Sequence, residues 1–338
     1  MKFYIFSFSL GFPNNVFRIM SYTLIRKEGL QMKEEKVIMQ TKNLTKKYGS
    51  FYALRNVNIN IQEKHIYGFI GENGAGKTTL MRILMGLDFP TEGSIEWFGK
   101  TKRTDLEKER KRIGSTIEGP ALYPGYSAWR NLELQRILIG NPDKDICDKL
   151  LKLVDLYEVR EKKVRQFSMG MKQRLSIAMA LIGRPSVLVL DEPINGLDPI
   201  NIAALRNLLL KLNKEEGLTI FLSSHILNEL YLLATDYLII HHGEIVETLT
   251  HSMLEEKCRR YIRICTKDVS ACTTVLEQKL DAKDYKVVAD DCIYLYGFSE
   301  QIENVSKELM RANILVTEIM VTGQNLEEYF FDAIGEVK

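Results

Sequence analysis

Residues 71–79 read Gly-Glu-Asn-Gly-Ala-Gly-Lys-Thr-Thr, a complete Gly-x-x-x-x-Gly-Lys-[Ser/Thr] sequence. Closely spaced glycines let the backbone fold into a nest whose N–H groups point at phosphate oxygens. Lys77 can reach the β- and γ-phosphates of a triphosphate, and the Thr78 hydroxyl can bind Mg²⁺. An apolar run at 66–70 precedes the stretch and helical apolar spacing follows it, which favours a phosphate loop between strand and helix over a chance glycine-rich turn.

A second apolar run ends in two acidic residues. Residues 187–190 read Val-Leu-Val-Leu, which is typical of a parallel strand buried on both faces, and Asp191 and Glu192 follow it directly. Open α/β sheets bind their ligands at the carboxyl ends of such strands. We therefore expect Asp191 to hold Mg²⁺ through its coordination shell and Glu192 to polarise the attacking water as general base.

Three shorter motifs complete the pattern. Residues 167–175 read Phe-Ser-Met-Gly-Met-Lys-Gln-Arg-Leu, residues 195–198 read Asn-Gly-Leu-Asp, and residues 222–225 read Leu-Ser-Ser-His. Together and in this order, the motifs resemble those of the nucleotide-binding subunit of an ATP-binding-cassette (ABC) transporter across about residues 37–250. The resemblance implies a P-loop ATPase with a RecA-like parallel sheet core that uses ATP and Mg²⁺.

The resemblance also implies a set of site residues. Tyr48 matches the aromatic residue that stacks on adenine, Ser168 and Gly170 match the signature motif, and His225 matches the switch histidine. The catalytic residues are then Glu192 and His225, the Mg²⁺ ligands are Thr78, Asp191 and Glu118, and the nucleotide-binding residues are Tyr48, Gly71, Asn73, Gly74, Gly76, Lys77, Thr78, Thr79, Ser168, Gly170 and Asp198.

The signature segment predicts a helix that binds an anion. Ser168 is a favourable N-cap, and apolar residues at helical spacing follow it. A helix N-terminus with a free hydroxyl can bind phosphate without a lysine. In the resembled family this half-site closes on the γ-phosphate held by another subunit, which implies a head-to-tail dimer of cassettes. Met169 stands where the commonest signature has glycine.

Composition excludes several function classes. Lys and Arg number 46 and Asp and Glu number 44, a formal net charge of +2 that is too balanced to indicate a nucleic-acid partner. No apolar run approaches the roughly 18–20 residues that cross a bilayer, so a transporter would need separate transmembrane permease subunits. The five cysteines form no Cys-x-x-Cys pair, which indicates neither zinc nor a disulfide framework and fits reduced thiols.

Two further segments are open to two interpretations. The basic and mixed run at 100–112 is more typical of a solvated helix or loop than of a polyanion site. The sequence His241-His242-Gly243 could suggest a metal site. It lies between two apolar segments, however, which favours a hairpin turn.

The N-terminal segment resembles a short signal peptide, because Lys2 is followed by about ten mostly apolar residues. An exported ATPase would have no ATP, so we favour another explanation. Residues 27–29 can be encoded by a bacterial ribosome-binding sequence, and Met32 follows closely. We hypothesise that residues 1–31 are a leader translated from a misplaced start codon, and we expect them to be disordered or poorly packed.

The remaining pattern divides the chain into two domains after the leader. Residues 32–250 form the predicted cassette: strands near 37–41, 57–61 and 94–98 give an antiparallel β layer, and helical periodicity at about 120–180 gives an inserted helical subdomain. Residues 251–338 follow a β-α-β-β-α-β order, which indicates a small ferredoxin-like α+β accessory domain. The fold class is therefore α/β with a C-terminal α+β domain.

We expect an ATP-binding and ATP-hydrolysing subunit that powers a membrane exporter from the cytoplasmic face of the plasma membrane. Residues 117–124 and the signature tail 171–174 resemble the bacitracin and lantibiotic cassettes, which implies a peptide antibiotic as substrate. The alternative is an ATP-gated sensor or regulatory subunit that does not drive export. Glu118 matches a position at which most of the resembled family has a glutamine near Mg²⁺. If this match is a misalignment, Glu118 is a surface acid.

Overall fold

The computed structural model describes residues 36–289, 291–323 and 326–335, so the hypothetical leader at 1–31 lies outside the described residues. The strands in this part of the chain are β1 (Val37–Tyr48), β2 (Phe51–Gln62), β3 (Ile66–Ile70), β4 (Glu92–Trp97), β5 (Ile113–Thr116), β6 (Val187–Leu190), β7 (Thr219–Ser224), β8 (Asp236–His241), β9 (Glu244–Thr250), β10 (Tyr261–Thr266), β11 (Tyr285–Ala289), β12 (Cys292–Tyr296) and β13 (Val316–Thr322). The α-helices are α1 (Lys77–Leu84), α2 (Arg103–Glu109), α3 (Ala128–Ile139), α4 (Ile146–Leu153), α5 (Met169–Leu181), α6 (Pro199–Glu216), α7 (Leu227–Tyr231), α8 (His251–Lys257), α9 (Val269–Leu280), α10 (Ile302–Arg311) and α11 (Leu326–Ala333).

A six-stranded sheet forms the centre of the cassette. Its strand order is β5-β6-β7-β3-β8-β9, with parallel pairing throughout except for the final β8–β9 pair. Every residue of β6 and β7 is buried, which explains the uninterrupted apolar run that predicted β6. Because β6, β7 and β3 are neighbours and parallel, their carboxyl ends meet at one edge of the sheet.

The predicted antiparallel layer is the sheet β2-β1-β4. The predicted strands at 37–41 and 57–61 fall within β1 and β2, and the one at 94–98 overlaps β4, which ends at Trp97. β1 and β2 run for 12 residues each and are thus much longer than expected. The extension brings Tyr48 and Phe51 opposite one another at the end of a hairpin. The other hairpin, predicted at His241-His242-Gly243, is present between β8 and β9.

The helical subdomain contains α3, α4 and α5. Their buried apolar side chains form one cluster with side chains on one face of the central sheet.

Strand β5, which precedes the helical subdomain in the chain, was not predicted from the sequence. That strand has only four residues, two of which are Gly114 and Ser115, so no apolar run or alternation marks it. Its identity as a strand comes from parallel pairing with β6.

The C-terminal region has the predicted β-α-β-β-α-β order, with a four-stranded antiparallel sheet in the order β11-β12-β10-β13. The interpretation of all five cysteines as reduced is wrong for one pair, since Cys265 and Cys292 form a disulfide. The two residues are direct cross-strand partners in β10 and β12. Their separation of 27 residues carries no local motif, so only the strand register reveals the pair.

Gly114 permits a close approach between β5 of the central sheet and α5, the helix that begins in the signature motif. A Cβ added there would overlap the backbone carbonyl of Ala180 in α5. We expect Gly114→Ala to lower the free energy of unfolding by about 1–3 kcal/mol, because overpacking forces the helix away from β5. Gly125→Ala is the matched control, since a Cβ there would meet nothing within 4 Å. Urea denaturation that finds the two variants equally stable would contradict this account.

Candidate functional site

The phosphate loop joins β3 to α1, as predicted. Gly74 and Gly76 have left-handed backbones with φ of 87° and 109°, and a Cβ on Gly76 would overlap the carbonyl of Ala53. Lys77 begins α1 and lies across the loop, where its Nζ donates hydrogen bonds to the carbonyls of Gly71 (2.6 Å) and Glu72 (3.1 Å). The ammonium group is therefore already oriented toward the backbone that would surround a phosphate.

A cavity of about 340 Å³ lies over this loop. Its lining includes predicted residues from three separate parts of the chain, which the fold brings together: Tyr48, Asn73, Gly74, Gly76, Lys77, Thr78, Thr79 and Glu192. Gly71 lies at the start of the loop, where a Cβ would overlap Ile240 of β8. Within the described chain, the residues lining this cavity do not include Ser168, Gly170 or Asp198.

Thr78 and Asp191 meet beneath the phosphate loop. The Thr78 hydroxyl donates to Asp191 Oδ2 at 2.8 Å, while Ser223 Oγ donates to Asp191 Oδ1 at 2.7 Å. Ser223 Oγ also accepts a hydrogen bond from the Glu192 backbone N–H at 2.8 Å. The Thr78 hydroxyl and the Asp191 carboxylate are the hard oxygen donors that Mg²⁺ prefers, so the residues present fit this ion.

Glu192 lies between Lys77 and His225. Its backbone is left-handed, with φ of 48°, and its Oε2 is 2.8 Å from His225 Nδ1. Lys77 Nζ is 3.3 Å from the other carboxylate oxygen, Oε1. This is ion-pair distance, although Oε1 is buried and makes no hydrogen bond within the described structure. A buried carboxylate oxygen without a hydrogen-bond donor retains the capacity to accept a proton or a water O–H.

Tyr48 is half-exposed and its ring borders the cavity. Its hydroxyl donates to the carboxylate of Asp88, which also accepts from Lys46 Nζ at 2.6 Å. Partial burial alone would raise the pKa of Asp88, but the hydrogen bonds from Lys46 and Tyr48 outweigh it and lower the pKa to about 2. The stability that Asp88 contributes is therefore complete above about pH 4 and is lost as the pH falls toward 2.

Asn201 connects the signature motif to the acid of the 195–198 motif, since its side chain lies against Gly170 and donates a hydrogen bond to Asp198. Ser168 caps α5 by accepting from the Met171 N–H at 3.3 Å, and Asp198 caps α6 by accepting from the Asn201 N–H at 2.9 Å. The backbone N–H of Asn201 lowers the pKa of Asp198. A Cβ on Gly170 would overlap the Asn201 side chain, so only glycine allows this contact.

Glu118 is exposed and has a left-handed backbone with φ of 61°. Its Oε1 forms an ion pair with Arg82 NH1 of α1 at 2.6 Å. The structure thus gives the carboxylate a cationic side chain as its partner, and the expectation that it binds Mg²⁺ stays a prediction.

Sequence reasoning missed three residues that hold the predicted ones in place. Ser223 links the Asp191 carboxylate to the Glu192 backbone, Asp88 fixes the hydroxyl of Tyr48, and Asn201 bridges Gly170 and Asp198. Ser223 lies inside a motif and could have been found there. Asp88 and Asn201 carry no local signal, because their roles depend on contacts across the fold.

Comparisons with known proteins agree with this geometry. The family model described as ABC transporter matches residues 54–195. The bacitracin transport ATP-binding protein BcrA of Bacillus licheniformis is 41% identical over 298 residues, which cover 88% of this chain and 97% of that protein. BcrA of Enterococcus faecalis is 38% identical, with coverages of 88% and 96%. The lantibiotic transport ATP-binding protein SrtF of Streptococcus pyogenes is 46% identical over 62% of this chain and 89% of its own length.

Solved structures of ATP-binding cassettes are also similar to this chain. A dimeric ATP-binding cassette in a post-hydrolysis state with ADP and Pi has a TM-score of 0.58 and 30% identity, and the match covers 63% of this chain and 99% of that one. The cbiO1 subunit from Clostridium perfringens, part of an ABC transporter complex, has a TM-score of 0.61 and 25% identity, with coverages of 73% and 97%.

The phosphate loop, the acidic pair and the switch histidine define a P-loop ATPase. The chain belongs to the family of ATP-binding proteins of ABC transporters, and it binds and hydrolyses ATP. Across the described residues, no helix combines the length and the apolarity that a bilayer span requires.

The hydrogen bond from Tyr48 to Asp88 predicts an effect on ATP affinity. Asp88→Ala and Tyr48→Phe each remove this bond and release the ring, so each should weaken ATP binding by about threefold to tenfold, the equivalent of one hydrogen bond. The double variant should have an ATP affinity no lower than that of the single variant with the lower affinity, because both changes remove the same hydrogen bond. Asp143→Ala removes a carboxylate paired with Arg184 and Lys149 and serves as control. Equilibrium titration that gives Tyr48→Phe the parental Kd would show that the hydroxyl does not position the ring.

Proposed function

We propose that this chain couples ATP hydrolysis to the export of a peptide antibiotic by separate transmembrane permease subunits. The observation that carries the proposal is the convergence of the Thr78–Asp191 and Glu192–His225 pairs on the phosphate loop. Relatives that cover nearly the whole chain are named for bacitracin transport. A further relative is named for lantibiotic transport.

The residues of the site divide the chemistry among them. Lys77 and the loop N–H groups bind the β- and γ-phosphates, and Tyr48 stacks on the base. Thr78 and Asp191 would hold Mg²⁺, which supplies charge neutralisation at the phosphate oxygens when bound. Glu192 accepts a proton from the attacking water as general base. His225, at 2.8 Å from Glu192 Oε2, orients that carboxylate for the transfer.

The second half of each site comes from another cassette in a head-to-tail dimer. Ser168, Gly170 and Asp198 lie outside the lining of the cavity over this chain's own phosphate loop. The exposed N-terminus of α5 offers N–H groups and the Ser168 hydroxyl to an anion. A similar solved cassette is described as dimeric with ADP and Pi, which supports this arrangement.

The domain division and location follow from the same proposal. Residues 32–250 act as the cassette and residues 251–338 as the accessory domain, and the chain binds peripherally to its permease at the cytoplasmic face of the plasma membrane. The near-neutral formal net charge of +2 gives no reason to expect a nucleic-acid partner.

Glu192→Gln tests the catalytic assignment. An amide cannot take a proton from water, so turnover should fall by about 100-fold or more while the Kd for ATP changes little. The variant should accumulate as an ATP-bound dimer, detectable by gel filtration. Lys77→Ala is the contrasting variant and should lose ATP binding itself. Parental turnover in Glu192→Gln would remove Glu192 from the role of general base.

The same variant separates export from the alternative, an ATP-gated sensor. Cells that carry Glu192→Gln in place of the parental gene should become as sensitive to bacitracin or a lantibiotic as cells without the gene. A sensor that needs only ATP binding would keep its protective effect in Glu192→Gln and lose it in Lys77→Ala.

Glu118 gives a separate prediction. If its carboxylate approaches Mg²⁺ and the attacking water, Glu118→Ala should slow hydrolysis about tenfold or uncouple it from antibiotic protection while ATP still binds. Glu118→Gln keeps an oxygen ligand and should be partly tolerated. Glu107→Ala removes another exposed glutamate, paired with Arg103, and is the control. Normal ATPase activity and normal protection in Glu118→Ala would identify a surface acid whose partner is Arg82.

A further inference from the structure

The last helix of the described residues, α11, contributes its buried side chains to the cassette core and not to the accessory core. Helix α11 follows the final strand of the accessory sheet, yet its buried residues Tyr329 and Phe330, with Ile334 just beyond its end, belong to the cassette core cluster. The separate accessory core is formed by β10, β12, α9 and α10. The chain therefore leaves the cassette core after α8, builds the accessory domain and returns to the cassette core.

Helix α11 and His225 line the same cavity. A cavity of about 410 Å³ is bounded on one side by Glu327, Phe330 and Phe331 of α11. Its other walls are Gly71 and Glu72 of the phosphate loop and the segment 225–228, which contains His225 and the start of α7. The aromatic side chains of α11 thus face the segment that carries His225 across this cavity.

The segment 225–228 leads into α7, which is anchored at its far end because Leu230 is fully buried and Glu229 forms an ion pair with Arg206 of α6 at 2.7 Å. Helix α7 spans five residues and lacks a side-chain N-cap, so its own backbone hydrogen bonds do not suffice to fix its position. Ile226, Leu227 and Tyr231 are only partly buried, and they pack against the apolar cluster that contains Phe330. Helices α7 and α11 are in contact, so their packing restricts the backbone that immediately follows His225.

The position of α11 is itself fixed by polar contacts. The Tyr329 hydroxyl accepts a hydrogen bond from Lys257 Nζ at 3.0 Å and donates one to Glu247. Lys257 and Glu247 also form an ion pair with each other. These contacts tie α11 to the end of α8 and to β9, at the point where the chain enters the accessory domain.

We propose that α11 positions the switch histidine and thereby affects the rate of ATP hydrolysis without touching the nucleotide. Phe330 is the main positioning residue. It borders the cavity beside the segment 225–228, limits the movement of that segment and keeps His225 Nδ1 at hydrogen-bond distance from Glu192 Oε2. The inference rests on the role proposed above for His225.

The test compares Phe330→Ala with Phe298→Ala in the full chain. Phe298 packs against the accessory core, so both variants lose the same side chain from different clusters. Phe330→Ala should lower kcat about tenfold with the Kd for ATP within about twofold of the parental value, because the phosphate loop keeps its own contacts. Phe330→Leu should restore most of the activity, and Phe298→Ala should retain the parental kcat. Equal losses in the two alanine variants would overturn the proposal.

A double-mutant cycle with His225→Ala separates an effect through the histidine from a nonspecific loss of stability in Phe330→Ala. If α11 acts through the histidine, Phe330→Ala should cause no further loss of kcat in the His225→Ala background. Additive losses would overturn the proposal. Parental activity in His225→Ala would reject both the role of His225 and this inference, whereas an inactive His225→Ala beside a fully active Phe330→Ala would reject this inference alone.

If Phe330→Ala does not fold, Tyr329→Phe tests the same proposal with a smaller change. Tyr329→Phe removes only the hydroxyl that contacts Lys257 and Glu247. It should lower kcat about threefold without changing the Kd for ATP, the effect of one lost hydrogen bond. A parental kcat in Tyr329→Phe would then overturn the proposal.

Discussion

The parallel pairing of β6, β7 and β3 is the constraint on which the catalytic geometry depends. β7 lies between the other two strands and pairs in register with both. The three carboxyl ends therefore deliver the acidic pair, the segment 223–225 and the phosphate loop to one edge. Because side chains alternate along a strand, a register shift of one residue would turn the Ser223 hydroxyl away from Asp191 and break the link to the Glu192 backbone.

The charges at this edge explain why the site suits a triphosphate only together with cations. Asp191 and Glu192 are adjacent carboxylates, and a polyanion placed beside them would be repelled. Lys77 is almost fully buried and lies 3.3 Å from Glu192 Oε1, so it offsets part of that negative charge. The oxygens of Thr78 and Asp191 can hold a divalent cation, which offsets more. Phosphate binding and metal binding are thus electrostatically dependent on one another.

The sequence predicted the parts of the fold that have strong local patterns. The phosphate loop, β6, the N-cap at Ser168 and the order of elements in the accessory domain all follow from short motifs or periodicity, and the structure contains them. Strand β5 and the disulfide between Cys265 and Cys292 were missed because both are defined by pairing partners far along the chain. The same reason hid Asp88 and Asn201, whose importance is visible only in contacts that the fold creates.

The central sheet separates two sets of functional elements. Helix α1 and the antiparallel layer that carries Tyr48 bury their apolar side chains in the cluster on one face of the sheet. The signature helix α5, helix α6 with its Asp198 cap, α7 and α11 share the cluster on the other face. Elements proposed to hold the chain's own nucleotide thus have one core, and elements proposed to face a partner's nucleotide have another. Glu192 and His225 follow the carboxyl ends of β6 and β7, so their contact lies at the edge of the sheet that separates the two cores.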